Sequence, residues 1–334
     1  MPERWEKLQE AVAGAERVLI LLHDDPDPDA VASGAALQFL LQEALGIDSQ
    51  IGYRGIIGRA ENRALVEYLD VSMENLPPQP LQSEWPVAVI DTQPGAGNSP
   101  VPAGYPVCLV IDHHSERDEV ATAFSDVRPW VGATSTILTQ YLRTADLLPS
   151  TRLAAALFYG IKTDTRALSR DTSAADVAAY FYLLPLVEID AVVEIENAQV
   201  PSAYFRNLAK AIVDARVHDG LIASYLGVTD YPDITAEIAD LFLRLEGTQW
   251  VVCLGAYDDD MYLSVRARSG DADAEQMAKA MVAGEGSAGG RNTLAGGQLP
   301  LAGRDPQELA EVLRERALDH LEIPNSVPGK PLIT

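Results

Sequence analysis

Several features are scarce or missing in this chain of 334 residues. It has two cysteines, Cys108 and Cys253, and both lie in apolar runs, so we expect buried thiols and no disulfide framework or zinc set. No apolar run approaches the ~20 residues that a membrane-spanning helix needs. The first apolar run, residues 18–22, is too short for a signal-peptide core and follows a charged N-terminus. We therefore expect a cytoplasmic protein with no membrane partner.

Basic residues are also few. The chain carries 25 Lys and Arg against 49 Asp and Glu, which gives a formal net charge of -24. A surface of this sign repels polyanions, so binding to long nucleic acid is not expected unless a local basic groove exists. A small anionic substrate held by metal ions remains compatible with this charge. A host-wide adaptation for solubility would explain the acidity equally well.

The order of the elements predicts an α/β protein. Residues 1–190 alternate short apolar runs with helical patterns, which is typical of a mostly parallel sheet with crossover helices. From about residue 212 the pattern changes to short strands with hairpin-like turns, followed by two helices. We predict an N-terminal domain over 1–190, a helical linker over 191–211, and a smaller mixed α/β C-terminal domain over 212–325.

Three apolar, strand-like runs in the N-terminal half end in Asp and His residues. These are His23, Asp27 and Asp29 after the first run, Asp91 after the second, and Asp112, His113 and His114 after the third. In an open α/β sheet the strand ends share a crevice where ligands bind, so we expect these side chains to converge. Carboxylates and imidazoles without a basic partner are the ligands of divalent metals.

Each of these motifs also has a simple structural explanation. An acidic turn with Asx hydrogen bonds would account for Asp27 and Asp29, and a helix cap would account for Asp112 or for Asp164. The combination is what favours a metal site, because several strand ends carry ligand types together. A metal-dependent hydrolase is the leading interpretation.

On these residues the chain resembles the DHH-family phosphoesterases. The four motifs of that family correspond to His23, Asp27 and Asp29; to Asp91; to Asp112, His113 and His114; and to residues 160–165, Gly-Ile-Lys-Thr-Asp-Thr, which contain Asp164. They occur in the family's order. A glycine-rich segment near the C-terminus resembles the family's DHH-associated domain, so the resemblance covers the whole chain.

The resemblance implies two divalent metal ions. One ion would be held by His23, Asp27 and Asp91, and the other by Asp29, Asp91, His113 and Asp164, with Asp91 shared. Catalytic roles would fall to Asp91, to His114 facing the substrate phosphate, and to Asp112 orienting the histidines from behind. Mixed nitrogen and oxygen ligands favour Mn²⁺ over Mg²⁺.

The glycine-rich segment spans residues 284–297 and contains the spacing of a dinucleotide-binding fingerprint. That fingerprint needs a preceding strand, whereas the pattern over 272–283 predicts a helix. The resemblance implies instead a loop in which Gly289 and Gly290 approach the nucleotide part of the substrate. Relatives commonly have His where this chain has Arg291, which can also bind phosphate. Arg266 matches a strand arginine of the family, although a surface charge on a strand would explain it as well.

The resemblance implies hydrolysis of a phosphate ester in a cleft between the two domains. The expected substrates are short oligonucleotides, linear dinucleotides or 3′-phosphoadenosine 5′-phosphate, as in the nanoRNase, oligoribonuclease and pAp-phosphatase-like members, with exonuclease-like cleavage. A pyrophosphate or short-polyphosphate hydrolase is one alternative, which the glycine segment and the few lysines disfavour. A non-catalytic nucleotide-binding regulator is the other, which the retention of every ligand position disfavours. We expect a monomer or homodimer.

Overall fold

The computed structural model describes residues 1–77, 79–117, 120–269, 272–291, 293–325 and 329–333. The chain forms two compact units, Met1–Ala198 (unit 1) and Gln199–Thr334 (unit 2). The elements of unit 1 are α1 (Pro2–Ala11), β1 (Arg17–Leu21), α2 (Pro28–Leu45), β2 (Asp48–Tyr53), α3 (Ala60–Leu69), β3 (Met73–Asn75), β4 (Val87–Ile90), β5 (Val107–Asp112), β6 (Thr122–Val127), α4 (Thr134–Thr144), α5 (Thr151–Asp164), α6 (Ala174–Leu183), a short 3₁₀ turn (Leu184–Leu186) and α7 (Ile189–Glu196).

The sheet of unit 1 is parallel throughout its described strands, in the order β3-β2-β1-β4-β5-β6. The strand order reverses between β1 and β4, because β1 leads to β2 and β3 on one side and the later strands lie on the other. The carboxyl ends of strands at such a switch point border a ligand-binding crevice. β1, β4 and β5 are buried and rich in Val, Ile and Leu, as strands covered on both faces require.

Helix α2 lies in the core of unit 1 and packs against α4 and α5. Asp27 is its N-cap, Pro28 opens its first turn, and Gly46 ends it in the left-handed conformation. Small residues let the helix approach the sheet closely. A Cβ at Gly34 would lie only 2.7 Å from a methyl carbon of Leu22. This packing fixes the N-terminal turn of α2, which carries Asp27 and Asp29.

Unit 2 is built on a second, mixed sheet. Its elements are α8 (Ser202–Asp214), β7 (Arg216–His218), β8 (Leu221–Val228), α9 (Ile234–Phe242), β9 (Trp250–Tyr257), β10 (Asp260–Ala267), α10 (Ala274–Val282), β11 (Ser287–Arg291), β12 (Leu294–Pro300), α11 (Pro306–His320) and β13 (Lys330–Pro331). The strand order is β11-β12-β10-β9-β8-β7-β13, with β8 and β9 parallel and the other described pairs antiparallel. Helices α10 and α11 cover one face around Met277, Met281 and Leu313.

The predicted α/β class is confirmed, with a parallel sheet in unit 1 and a mixed sheet in unit 2. Residues 191–211, predicted as a linker, contribute the end of α7 and most of α8. Val192 and Ile195 of α7 are buried in the core of unit 1, and the division between the units falls after Ala198. Among the described residues, no helix has both the length and the apolar character needed to cross a membrane.

Two predicted elements of unit 2 are corrected. Residues 212–214, expected to begin a strand, are the last turn of α8, and β7 starts at Arg216. The predicted glycine loop is largely a β-hairpin, because β11 and β12 pair antiparallel with Gly289 opposite Gly296. Glycine within a strand normally weakens it, because it has no side chain to pack. Here it is required by close approach, since a Cβ at Gly290 would lie 2.4 Å from the carbonyl oxygen of Leu294.

Candidate metal centre

The candidate site lies in unit 1 at the carboxyl ends of β1, β4 and β5. His23 and Asp27 follow β1, Asp91 follows β4, and Asp112 is the last residue of β5. The N-terminal turns of α2 and α4 and the C-terminal turn of α5 bring further groups to the same place. The switch point between β1 and β4 therefore carries the predicted side chains.

His23 is buried, and the hydrogen bond of its ring fixes which nitrogen faces the site. Its Nδ1 lies 2.7 Å from the carbonyl oxygen of Asp24, which can only accept, so Nδ1 carries the proton. In the neutral ring Nε2 then has a free lone pair. This atom lies 3.7 Å from Oδ1 of Asp27 and 3.6 Å from Oδ2 of Asp91. Such an arrangement prepares an imidazole for metal ligation.

Asp27 combines the two roles that the sequence left open for it. Its Oδ1 accepts hydrogen bonds of 3.0 Å from the backbone amides of both Asp29 and Ala30, so it caps α2. The same carboxylate lies beside His23. The cap holds the side chain in one orientation, which suits a metal ligand.

Asp29 is fully buried and is held by the N-terminus of another helix. Its Oδ2 accepts from the amide of Thr134 at 2.6 Å, and its Oδ1 accepts from the amide of Ser135 at 2.8 Å. These amides belong to the first turn of α4, where the helix dipole favours a negative charge. The hydroxyl of Thr134 donates to Oδ1 of Asp91 at 2.7 Å, so one turn of α4 orients two carboxylates.

Asp91 adopts a left-handed backbone conformation, with φ of 60°. Aspartate tolerates this region better than most residues, yet such conformations outside glycine concentrate at functional sites. The amide of Asp91 donates to the carbonyl of Ile111 at 3.0 Å, which ties it to β5. The buried carboxylate thus stands between the ligands that follow β1 and those that follow β5.

His113 and Asp164 complete the opposite side of the site. Nε2 of His113 lies 3.5 Å from Oδ1 of Asp91 and 3.2 Å from Oδ2 of Asp164. Asp164 is the last residue of α5, so it comes from a helix rather than from a strand end. A Cβ at Gly160, one turn earlier, would lie 2.6 Å from Oγ of Ser135 and 3.1 Å from Cα of Asp29, so the site favours glycine. This close approach brings α5 to the start of α2.

Asp112 and His114 form a hydrogen-bonded pair at the edge of the site. Oδ1 of Asp112 accepts from the amides of His113 and His114 and lies 2.8 Å from Nδ1 of His114. Its Oδ2 accepts from Nε2 of Gln93 at 2.7 Å. Asp112 is fully buried, whereas the side chain of His114 is 45% exposed. Asp112 therefore orients His114 from behind and leaves Nε2 of that ring for another partner.

The described residues contain three groups whose ligand atoms lie within 4.8 Å of one another. These groups are His23, Asp27 and Asp91; Asp29, His113 and Asp164; and Asp91, His113 and His114. Asp91 belongs to two of them, and His113 also belongs to two. Carboxylate oxygens with imidazole nitrogens suit Mn²⁺, Zn²⁺ or Fe²⁺ better than Mg²⁺, which prefers oxygen and water.

The electrostatics of the buried acids also fit a cation. Burial, together with the charge of Asp27, raises the pKa of Asp29 to about 6. Burial and the neighbouring carboxylates of Asp29 and Asp27 raise the pKa of Asp91 well above its usual range. Several ionised acids in so small a buried volume repel one another. A divalent ion would relieve this repulsion, so the residues present fit a metal.

For His23 and Asp112, an oppositely charged neighbour outweighs the effect of burial on the pKa. Burial lowers the pKa of His23, but the adjacent carboxylate of Asp27 outweighs burial and raises the pKa to about 9. Burial likewise raises the pKa of Asp112, but the charge of His114 and the hydrogen bond to it hold that pKa well below its ordinary value.

The predicted substrate-binding residues all lie in unit 2. Arg266 is largely buried on β10, where its Nε donates to Oδ1 of Asp240 at 2.9 Å and its Nη1 donates to the carbonyl of Val265 at 3.0 Å. Gly289, Gly290 and Arg291 lie on β11. Gly289 is exposed, and a Cβ there would meet no atom within 4 Å.

Three contributors to the site were not anticipated from the sequence. Thr134 and Ser135 bind Asp29 and Asp91, and Gln93 binds Asp112. The sequence offers one indication, because Thr134 and Ser135 precede an apolar helical run, as residues at helix starts often do. Nothing local indicates that this helix start points at an aspartate more than 100 positions away.

Comparison with known proteins supports the architecture. The sequence matches no protein-family profile. Over 304 residues it is 36% identical to an uncharacterized protein of Methanocaldococcus jannaschii, an alignment that covers 89% of this chain and 62% of that protein. The chain thus spans about three fifths of the length of this relative.

Two solved structures align with most of this chain. An exopolyphosphatase-related protein from Bacteroides fragilis superposes with a TM-score of 0.69 at 14% identity, over 96% of this chain and 97% of that one. A candidate family II inorganic pyrophosphatase of Methanococcus jannaschii gives a TM-score of 0.43 at 16% identity, over 89% of this chain and 99% of that one. The first likeness shows the fold, and the second is too low to add to it.

Proposed function

We propose that the protein is a metal-dependent phosphoester hydrolase that acts on short oligonucleotides, linear dinucleotides or 3′-phosphoadenosine 5′-phosphate. One observation carries this proposal. At the switch point of a parallel sheet, the buried carboxylate of Asp91 groups with His23 and Asp27 and also lies beside His113, which in turn groups with Asp29 and Asp164. That arrangement suits a pair of neighbouring cations, as in hydrolases that stabilise both the attacking and the leaving oxygen.

In this proposal one set of side chains holds the ions and another faces the substrate. Two bound divalent ions, which we propose to be Mn²⁺, would supply an acidified water and neutralise the charge that develops on phosphate. His23 and Asp27 would hold one ion, and Asp29, His113 and Asp164 the other, with Asp91 between them.

His114 is the group we assign to the substrate. Its Nδ1 is engaged by Asp112, so its Nε2 is oriented to donate a hydrogen bond to phosphate or to pass a proton to the leaving oxygen when the ring is protonated. Its partial exposure agrees with contact to a ligand that enters from solvent. Asp112 acts through His114, since its oxygens are occupied by amides, by that ring and by Gln93.

For unit 2 we propose a role in binding the nucleotide part of the substrate. The exposed backbone at Gly289 offers close approach, and the position of Arg291 on the same strand offers a cation for phosphate. Arg266 already binds Asp240 and a carbonyl, so we assign it to holding β10 in place beside β12.

Hydrolysis of pyrophosphate or short polyphosphate is the second candidate. The same ligand groups would serve a phosphoanhydride, and the observation that favours this candidate concerns the glycines. Packing between β11 and β12 accounts for Gly286, Gly290 and Gly297, whose added Cβ atoms would all clash with neighbouring backbone or side chains. These glycines therefore do not by themselves argue for a nucleotide. A nucleotide-binding regulator without activity would bind the same ligands and release no product.

The test is release of phosphate or mononucleotide with and without Mn²⁺. The substrates are pApA, a short oligoribonucleotide, 3′-phosphoadenosine 5′-phosphate and pyrophosphate. The proposal predicts Mn²⁺-dependent release from the nucleotides. Asp91→Asn should abolish it, and Asp190→Asn, the same change at an exposed position on α7, should not. Cleavage of pyrophosphate alone would replace the proposal with the second candidate, and binding without turnover would replace it with the regulator.

A further inference from the structure

A fully buried aspartate, Asp176, connects helices α6 and α4 of unit 1. Asp176 lies on α6, and its Oδ2 accepts from the amide of Gly132 at 2.9 Å and from the amide and hydroxyl of Ser173 at 2.7 and 2.6 Å. Its Oδ1 accepts from the hydroxyl of Thr136 at 2.6 Å. A capping box at the start of α6 explains the two bonds to Ser173. It does not explain the bonds to Gly132 and Thr136, which belong to a different element.

The bonds from Gly132 and Thr136 fix the start of α4 and the residues just before it, which also hold the candidate metal ligands. Gly132 and Thr136 flank Thr134 and Ser135, whose amides bind both oxygens of Asp29. The hydroxyl of Thr134 also binds the carboxylate of Asp91. The segment of residues 132–136 is therefore hydrogen-bonded on one side to Asp176 of α6 and on the other to the ligand carboxylates.

Gly132 also contacts the segment that follows Asp164. A Cβ at Gly132 would lie 2.6 Å from Cγ2 of Thr165 and 2.9 Å from the carbonyl oxygen of Asp171. The loop before α4 thus packs directly on the residue next to a metal ligand. Because Asp176 holds the amide of Gly132, it fixes this loop both toward Asp29 and toward the segment after Asp164.

We propose that Asp176 is a positioning residue for the ligand group of Asp29, His113 and Asp164. This inference rests on the metal centre of the proposed function. Of that group, Asp29 depends on the turn that Asp176 holds, and Asp164 precedes the segment packed on Gly132. His23 and Asp27 are instead held by the carbonyl of Asp24 and by the amides at the start of α2, whereas the hydrogen bonds that Asp176 accepts come from Gly132, Thr136 and Ser173. Asp91 of the first group also binds the turn of α4, through one bond from the hydroxyl of Thr134, whereas Asp29 is held by two of its backbone amides. Loss of Asp176 therefore weakens the group of Asp29 more than the group of His23 and Asp27.

The experiment measures Mn²⁺ binding to the full chain by calorimetry and by electron paramagnetic resonance. Asp176→Ala leaves the donors of Gly132, Ser173 and Thr136 without their acceptor. Removal of a partner that orients a ligand typically costs about 10–100-fold in metal affinity. Asp176 acts through the turn of α4 and not on a ligand directly, so we expect a loss of about 10-fold, the low end of that range, for the second Mn²⁺ bound, with a smaller change for the first. The spectrum should change from that of a coupled pair of ions to that of isolated ions.

A conservative variant separates orientation from mere stability. In Asp176→Asn the amide oxygen can accept from Gly132 and Ser173, and its NH₂ can donate to the hydroxyl oxygen of Thr136. This variant should bind both ions nearly as the wild type does. Thr136→Val removes one hydrogen bond to Asp176 and keeps the side-chain shape, so it should lower the affinity for the second Mn²⁺ less than Asp176→Ala does. It replaces Asp176→Ala in the experiment if Asp176→Ala does not fold.

The matched control lies on the same helix. Tyr141, about two turns farther along α4, donates to the buried carboxylate of Asp126 at 2.7 Å, and Arg128 binds the same carboxylate. Tyr141→Phe should lower the unfolding temperature without changing either Mn²⁺ affinity. If it weakens the second ion as much as Asp176→Ala does, general loosening of α4 is responsible and the inference is wrong.

The outcomes separate this inference from the proposed function. Two Mn²⁺ ions bound by the wild type, with selective loss in Asp176→Ala, support the inference even if no phosphoester is hydrolysed. Equal affinities in the wild type and in both Asp176→Ala and Thr136→Val overturn it even if the enzyme is active. Binding of one ion only by the wild type also overturns it, because the second group would then hold no metal.

Discussion

At the scale of single residues, Asp91 is constrained through both its backbone and its side chain. Its backbone is left-handed, its amide is tied to β5, and one carboxylate oxygen accepts from Thr134. The same carboxylate lies within 3.6 Å of both His23 and His113. Each of these features turns the side chain toward the ligands of both groups.

Replacing Asp91 with Asn should therefore remove activity while keeping the fold. Asn tolerates the left-handed conformation and still offers an oxygen to Thr134. We expect turnover to fall by more than the roughly 100-fold that loss of an outer partner of a ligand can cause. The unfolding temperature of the metal-free protein should stay the same or rise, because the variant removes one of the mutually repelling acids. Full turnover in Asp91→Asn would contradict the shared-ligand arrangement.

The raised pKa of Asp29 predicts how metal binding depends on pH. An acid with a raised pKa binds its proton more tightly in the folded state, so the metal-free protein loses stability as the pH rises from about 4 to about 6. A metal must displace that proton and the one on His23, whose pKa is raised to about 9. The lowered pKa of Asp112 stabilises the folded protein, and this contribution is lost only as the pH falls below about 4.

The increase in unfolding temperature caused by Mn²⁺ should therefore be larger at about pH 8 than at about pH 5. Thermal unfolding with and without Mn²⁺ across this range measures it. In Asp29→Asn the part of the pH dependence near pH 6 should disappear. An increase that is constant with pH would mean that the buried acids are already ionised without a metal.

The sequence indicates the candidate ligands that lie next to a strand, but not the groups that act on them from a distance. His23, Asp91 and His113 lie within two residues of strands that apolar runs made evident. Thr134 and Asp176 act through tertiary contacts between helices distant in sequence. No short-range pattern encodes which carboxylate a helix start will meet.

At the scale of elements, the strands of unit 1 were predictable because parallel strands buried on both faces need unbroken apolar runs. The hairpin of β11 and β12 was not, because glycine has little preference for strands. Its strand character comes from the pairing of β12 with β10, whose Met261, Leu263 and Val265 are buried in the core of unit 2. The residue pattern alone could not separate this pairing from a loop that surrounds an anion.

Two glycines of this hairpin give a matched test. Gly290→Ala places a methyl 2.4 Å from the carbonyl oxygen of Leu294, whereas Gly289→Ala meets nothing within 4 Å. We expect Gly290→Ala to cost about 1–3 kcal/mol of unfolding free energy, as overpacking does. Gly289→Ala should stay within about 0.5 kcal/mol of wild type.

Kinetics of the same pair test the proposed nucleotide role. If a nucleotide approaches the backbone at Gly289, then Gly289→Ala should raise KM for pApA without changing stability. Its KM for pyrophosphate should not change. An unchanged KM for pApA would remove Gly289 from the substrate-binding residues and leave the hairpin with a structural role.

At the scale of the whole molecule, net charge is the property that acts on substrate choice. With -24 formal charges, the surface repels a polyanion at long range, and the repulsion grows with the charge of the substrate. The candidate centre counters this only locally, through the metal ions it would hold. Short substrates therefore suffer less from the overall charge than long ones.

This charge predicts an unusual salt dependence for nucleotide substrates. Proteins that bind nucleic acid through basic surfaces lose affinity as salt increases. Here added KCl should screen the repulsion, so kcat/KM for a long oligoribonucleotide should rise, while kcat/KM for pApA should change little. The measurement compares both substrates over a KCl series at constant Mn²⁺. As a control, a second series replaces chloride with another monovalent anion at constant ionic strength. A steep fall for the long substrate would instead reveal a local basic groove, and the preference for short substrates would then need a steric cause.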